Sequence, residues 1–226
     1  MPMIAGIFIH NLVMETTMKV LKPLFLCLAL MASFTAGAGN VERDMLKAAE
    51  LGDLATVKAA LEHGANVNTL SRKDGASLNL AAKHGHAEIV RLLLEHNAYA
   101  DSRDVMRITP LIAASFGGYT EIVGMLLDKG ATTTARDNTD KTALDYATGR
   151  GHRDIVRLLL EKGANANDAN LNGVTPLMWA AAIGNTQIVQ MLLDKGANLN
   201  LADDRGMTAL KYAVEARHEE VVVLLR

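Results

Sequence analysis

Glycines stand at positions 52, 85, 118, 151 and 184, each 33 residues from the last, and the next position in that series is Arg217. A fixed period of this length marks one small supersecondary unit repeated along the chain. No unit is large enough to enclose a core, so each must bury its apolar face against its neighbours. Other positions keep the same phase. Met45, Leu78, Leu111, Leu144, Leu177 and Leu210 precede the series by seven residues. Ile89-Val90, Ile122-Val123, Ile155-Val156, Ile188-Val189 and Val221-Val222 follow it. The phase is never broken by an insertion or deletion, which predicts six units over about residues 41 to 226.

The content of each unit predicts two helices. Ala81-Ala82, Ala114 and Ala180-Ala181 make the first helix thin, so that neighbouring units approach closely. The Ile-Val pairs, with Leu92-Leu93-Leu94, Met125-Leu126-Leu127, Leu158-Leu159-Leu160 and Met191-Leu192-Leu193, give the second a broad apolar face. Thr109 and Thr175 are good helix N-caps, and Pro110 and Pro176 sit at the first helical position, where a missing N–H costs nothing. Gly64-Ala65, Asn97-Ala98, Gly130-Ala131, Gly163-Ala164 and Gly196-Ala197 close the units. Only 4% of residues are aromatic, so Ala and Leu must do most of the packing.

These residues resemble the ankyrin-repeat family. Thr109-Pro110-Leu111 and Thr175-Pro176-Leu177 match its T-P-L motif, and Gly85-His86 and Gly151-His152 match its G-H, followed by I-V and L-L-L. The resemblance implies an all-α solenoid of six helix-turn-helix repeats with short β-turn fingers. Its departures carry expectations of their own. Repeat one, with Glu42, Arg43, Asp44 and Glu50, reads as an N-terminal cap. Repeat six reads as a C-terminal cap, polar through Glu215, Glu219 and Glu220. Ala76-Ser77-Leu78-Asn79 replaces T-P-L-H and is expected to weaken the finger of repeat two. Arg217 replaces a glycine and is expected to be held, under strain, in the left-handed region.

Residues 1–38 read as a targeting segment and 39–226 as the repeat domain. Lys19 and Lys22 precede the apolar run Leu24 to Met31, which is too short to span a bilayer comfortably. Ala36-Gly37-Ala38 reads as a cleavage site, and Met18 as the true start. The alternative is an uncleaved membrane anchor. Cys27 is the only cysteine, so no disulfide can form within the chain. The bulky Phe25 and Leu26 just before it argue against a lipoprotein site.

No pattern of catalytic residues is found, and neither a cofactor nor a metal is expected. His86, His152 and His218 share one repeat position, and His63 and His96 another, as structural histidines would. His84 and His86 have no third ligand nearby in sequence. Glu88, Glu121 and Asp154 recur as a solvated face does. With a net charge of -2, nucleic acid is not an expected partner.

In the ankyrin family, partners bind a concave face built from finger tips and exposed positions of the first helix. By register this implies Arg72, Lys73, Lys83 and His84 in repeat two, and Val105, Met106, Ile108 and Phe116 in repeat three. Repeat four offers Asn138, Thr139, Lys141 and Arg150. Repeat five offers Leu171, Asn172, Val174 and Ile183, and repeat six Asp204, Arg205, Met207 and Glu215. Apolar residues cluster at repeats three and five and basic residues flank them, so the partner should have an apolar centre and an acidic rim. Tyr146 and Trp179 are expected to pack between repeats. The resulting expectation is a monomeric, non-enzymatic, protein-binding adaptor of a bacterial periplasm, free of the membrane once its leader is removed. Within that class, it would act as an inhibitor or immunity protein, or as a helper of a stress-response protein. The alternatives are a secreted effector acting on host proteins and a membrane-anchored scaffold.

Overall fold

The computed structural model describes residues 41–226; residues 1–38, read from sequence as a targeting segment with cleavage after Ala38, and Cys27 lie outside the described residues. Among the described residues, twelve helices follow one another in pairs. The first members of the pairs are α1 (41–51), α3 (Ser77–His84), α5 (Pro110–Gly117), α7 (Ala143–Gly149), α9 (Pro176–Ile183) and α11 (Ala209–Glu215). The second members are α2 (Leu54–Glu62), α4 (Ala87–Glu95), α6 (Thr120–Asp128), α8 (Arg153–Glu161), α10 (Thr186–Asp194) and α12 (Glu219–Leu224). From α3 onward each first helix packs on the next first helix, and from α2 onward each second helix on the next second helix. Two parallel layers result, with one continuous core between them.

The register positions fill that core. Leu78, Leu111, Leu144 and Leu177 are buried, as are Ile89, Ile122, Ile155 and Ile188. Ala81, Ala114, Ala147 and Ala180 are fully enclosed where first helices meet, which is why larger residues are not used there. Thr109 and Thr175 cap α5 and α9, each hydroxyl accepting the N–H three residues on, with Pro110 and Pro176 in the first turn.

The G-H positions join one repeat to the one before. The ring of His86 bonds through Nε2 to the carbonyl of Glu50 at 3.0 Å, and His218 likewise reaches Ala182 at 3.1 Å. His152 reaches Phe116 at 3.3 Å. The ring of His152 lies so close to Gly118 that a Cβ there would stand 2.7 Å from it. Gly118 also has φ of +79°, so both space and backbone require glycine. His63 and His96 instead bond back to carbonyls of their own helices, those of Ala59 and Leu92. Arg217 has φ of +60°, in the left-handed region as its register requires.

Each finger is a turn closed by one backbone bond and one side-chain oxygen. The N–H of Asp104 donates to Ile108 O, Asp137 to Lys141 O, Asn170 to Val174 O and Asp203 to Met207 O. The side-chain oxygen of the same residue accepts two further N–H groups, as Asp104 does from Met106 and Ile108. Repeat two corrects one expectation. Ser71 still closes its finger onto Gly75 at 2.8 Å, beside a bridge between Leu70 and Ala76. The left-handed residue is Gly75, one place later than Arg107 or Asp140, so the turn is shifted rather than weakened. Ala76 cannot cap α3 with its side chain, but Asn79 bonds back to it, its Oδ1 accepting the N–H of Ala76 at 3.1 Å. Asn79 Nδ2 donates to the carbonyls of Ser102 and Ile108, which ties α3 to the next repeat.

Neighbouring fingers bond to each other through the backbone. Val105 N–H donates to Lys73 O, Asn138 to Met106 O and Asp204 to Asn172 O. No such bond joins the tips of repeats four and five among the described residues. Arg136 bridges that step instead. It donates to Asp140 within its own finger and to Asp168 and Ala169 O of the next repeat.

Candidate functional site

The fingers and the first helices together form one wall of the stack, and a groove runs along it. A cavity of about 360 Å³ in it is lined by Asn79, Lys83, Ile108, Ile112, Phe116 and Tyr146, among others. A second, of about 180 Å³, adjoins it across Phe116 and Tyr146 and reaches Lys141, Arg150 and Trp179. The walls combine the repeat's own packing residues with what the variable positions place on top.

Five of these side chains form an unbroken chain. The Arg150 guanidinium lies over the Phe116 ring, 3.8 Å from its centroid. Phe116 meets Tyr146 edge-on at 5.6 Å. The Lys141 ammonium stands 5.6 Å from the Tyr146 ring and 5.3 Å from the Trp179 ring. Stacking of this kind holds long cationic side chains in place beside an apolar surface. Phe116 is 44% exposed although it is large and apolar. Trp179 is partly buried, and its Nε1–H has no acceptor.

The acids of the groove are occupied internally. Asp137 is buried; its Oδ1 accepts the N–H groups of Thr139 and Lys141, and its Oδ2 accepts the Tyr146 hydroxyl. Burial alone would raise the Asp137 carboxyl, but these donors together hold it below its ordinary value. The same contact pushes the Tyr146 hydroxyl upward, after burial as the larger cause.

Asp145, at the position Asn79 holds in repeat two, behaves oppositely. Its Oδ2 accepts from the Thr142 N–H and hydroxyl, while its Oδ1 is buried with no partner. Burial, aided by nearby Asp168 and opposed by Thr142 and Arg136, pushes it up to about 6. By register, the carbonyls that Asn79 Nδ2 bonds correspond to those of Asp168 and Val174. A protonated Asp145 can donate there, as Asn79 does, and an ionised one cannot.

Lys83, Ile108, Phe116, Lys141 and Arg150 meet at the groove. Arg72, Lys73, Val105, Met106 and Asn138 lie exposed along the finger tips, Leu171 and Asn172 farther along the same edge. Ile108, Val174 and Met207 are partly buried, the first two packed against the core. Ile183 is exposed at the end of α9. Arg205 is engaged within its own repeat, pairing with Asp203 at 3.1 Å and lying over Tyr212. Tyr146 and Trp179 correct the sequence expectation: besides packing, they line the groove and carry the Lys141 charge. They occupy the position five before the anchor glycine, where Ala113 also lines the larger cavity. The register of the family's concave face omits that position, although it lies one helical turn before positions that the face includes.

The described residues contain no group of three or more His, Cys, Asp or Glu arranged to hold a metal ion. His84 and His86 stack at 6.1 Å. No described helix is long and apolar enough to cross a membrane.

A family model described as ankyrin repeats matches in three copies, over residues 45–137, 104–170 and 162–226, and no curated protein matches the chain. Ankyrin repeats are in general protein-interaction modules and non-enzymatic scaffolds. With matches covering residues 45 to 226, the chain belongs to the ankyrin-repeat family.

Proposed function

We propose that this protein is a non-enzymatic adaptor that binds a partner protein through the groove lined by its fingers and first helices. The observation that carries the reading is Phe116, a large apolar ring left 44% exposed beneath a stacked guanidinium. A side chain of this kind has no packing need to lie open, and aromatic and Arg residues anchor many interfaces. Val105 and Met106 extend the apolar surface along the finger tips.

The working site is a bacterial periplasm, reached by export and cleavage after Ala38. Support comes from the order of Lys19, Lys22, the apolar run and Ala36-Gly37-Ala38. In that compartment an adaptor of this type neutralises a toxin or enzyme, or assists a stress-response protein.

Affinity capture with the tagged full chain, repeated with Phe116→Asp and Met106→Asp, tests the binding face. A partner held by the parent and lost from the variants is the expected result. Equal capture by parent and variants overturns the proposed face. Mass spectrometry of the purified chain tests export: a first residue of Gly39 is expected, and an intact leader argues for a membrane anchor.

A further inference from the structure

We propose that the groove takes an acidic, apolar segment of the partner, with one carboxylate seated between Lys141 and Arg150 and an adjacent apolar side chain in the cavity beside Phe116. This rests on the protein-binding reading above and gives the partner its chemistry.

The two cations of the groove are free to meet an anion. Arg150 and Lys141 form no ion pair with any carboxylate among the described residues. The nearby acids are committed elsewhere. Asp137 is held by two backbone N–H groups and the Tyr146 hydroxyl, and Asp104 Oδ1 by two backbone N–H groups. Asp145 is buried, its Oδ2 taken by Thr142. Asp74 lies 3.9 Å from Lys83. Arg150, which is exposed, and Lys141, which is partly exposed, therefore supply the accessible charge of the cavity between Phe116 and Trp179, which the buried Asp145 also lines.

A guanidinium stacked on a ring keeps its in-plane N–H edge open, the edge that grips a carboxylate. Lys141 is braced between the Tyr146 and Trp179 rings, so its ammonium is placed without a partner acid. Both cations stand over apolar walls, where pairing with an anion is stronger than in open water. Beside them, the cavity of about 360 Å³ is floored by Ile108, Ile112, Ala113 and Phe116, which suits an apolar side chain.

The test uses the full chain and its only tryptophan, Trp179, as reporter. Fluorescence is titrated with acetyl-Leu-Glu-Leu-Glu-Leu-amide, with the peptide in which Gln replaces Glu, and with an oligouridylate. Saturable binding of the Glu peptide is expected, weakening with salt. The Gln peptide should bind about tenfold more weakly, the loss of one charge-assisted contact. The doubly substituted Lys141→Ala, Arg150→Ala chain should bind both peptides alike by calorimetry, while melting as the parent does. Equal affinity for the Glu and Gln peptides, no saturable binding, or tighter binding of the oligouridylate overturns the proposal. Should a captured partner be lost on Phe116→Asp but retained by the double variant, the adaptor reading stands and the carboxylate seat falls.

Discussion

The guanidinium of Arg150, at the end of α7, lies 3.8 Å from the centre of the Phe116 ring, on α5 of the preceding repeat. The two residues are 34 positions apart, yet the register stacks them on one face. Phe116 remains 44% exposed despite this cover, whereas Leu111 on the same helix is fully buried. Phe116→Ala should therefore cost only about 1 kcal/mol of stability, most of it lost aromatic contact. Leu111→Ala should cost about 2–5 kcal/mol through the cavity it leaves. Chemical denaturation of both variants checks the contrast; similar losses would mean that Phe116 is a packing residue.

Asp145 should make stability depend on pH. Its carboxyl is raised from 3.8 to about 6 in the fold, so the folded chain binds its proton more tightly than the unfolded chain does. The stabilisation is fully present below about pH 3.8 and is lost as pH rises through about 6. The loss across that window is about 3 kcal/mol at most. Asp168 and Arg136 face the same carboxyl with opposing effects. In Asp145→Asn this dependence should vanish, because the amide donates at any pH, as Asn79 does. Thermal melts of parent and variant from pH 4 to 8 check this; parallel profiles would show that Asp145 is ionised throughout.

Arg217 occupies a left-handed position that the other repeats give to glycine, with φ of +60°. Arg217→Gly should relieve about 1–2 kcal/mol of backbone strain. A rise in melting temperature of a few degrees is expected. An unchanged or lower value would show that the strain is absent or compensated.

Gly118 and His152 form a testable pair across the repeat junction. Gly118→Ala introduces both a poor backbone angle and a clash with the His152 ring. In a His152→Ala background the clash is gone, and only the backbone cost of about 1–2 kcal/mol should remain. A double-mutant cycle read by denaturation measures the difference; no coupling would mean that the ring moves aside freely.

The repeat architecture was legible because its determinants are local and recur. The anchor glycines, the Thr-Pro starts and the Ile-Val pairs each specify their own turn or helix face. The role of Asn79 is not legible in the sequence, because it depends on contacts 23 and 29 residues away, at Ser102 and Ile108. Tyr146 and Trp179 were assigned to packing because a partly buried aromatic serves packing and binding at once. Lys141 stands five residues before Tyr146 in its own repeat, but only the stacking of the next repeat brings it over Trp179 as well. The same holds for Arg136, whose link to Asp168 stands where the ladder of finger tips lacks a backbone bond.

A partner protein that docks in the groove must lie within reach of side chains along it. Photocrosslinking in the native cell tests this directly, with a photoreactive phenylalanine at position 83 or 183 on the groove side, or at position 88 or 190 on the exposed side of the second helices. Adducts of higher mass from positions 83 and 183, and none from 88 and 190, are the predicted result. Adducts from the second helices with a silent groove would place the partner elsewhere and overturn docking in the groove.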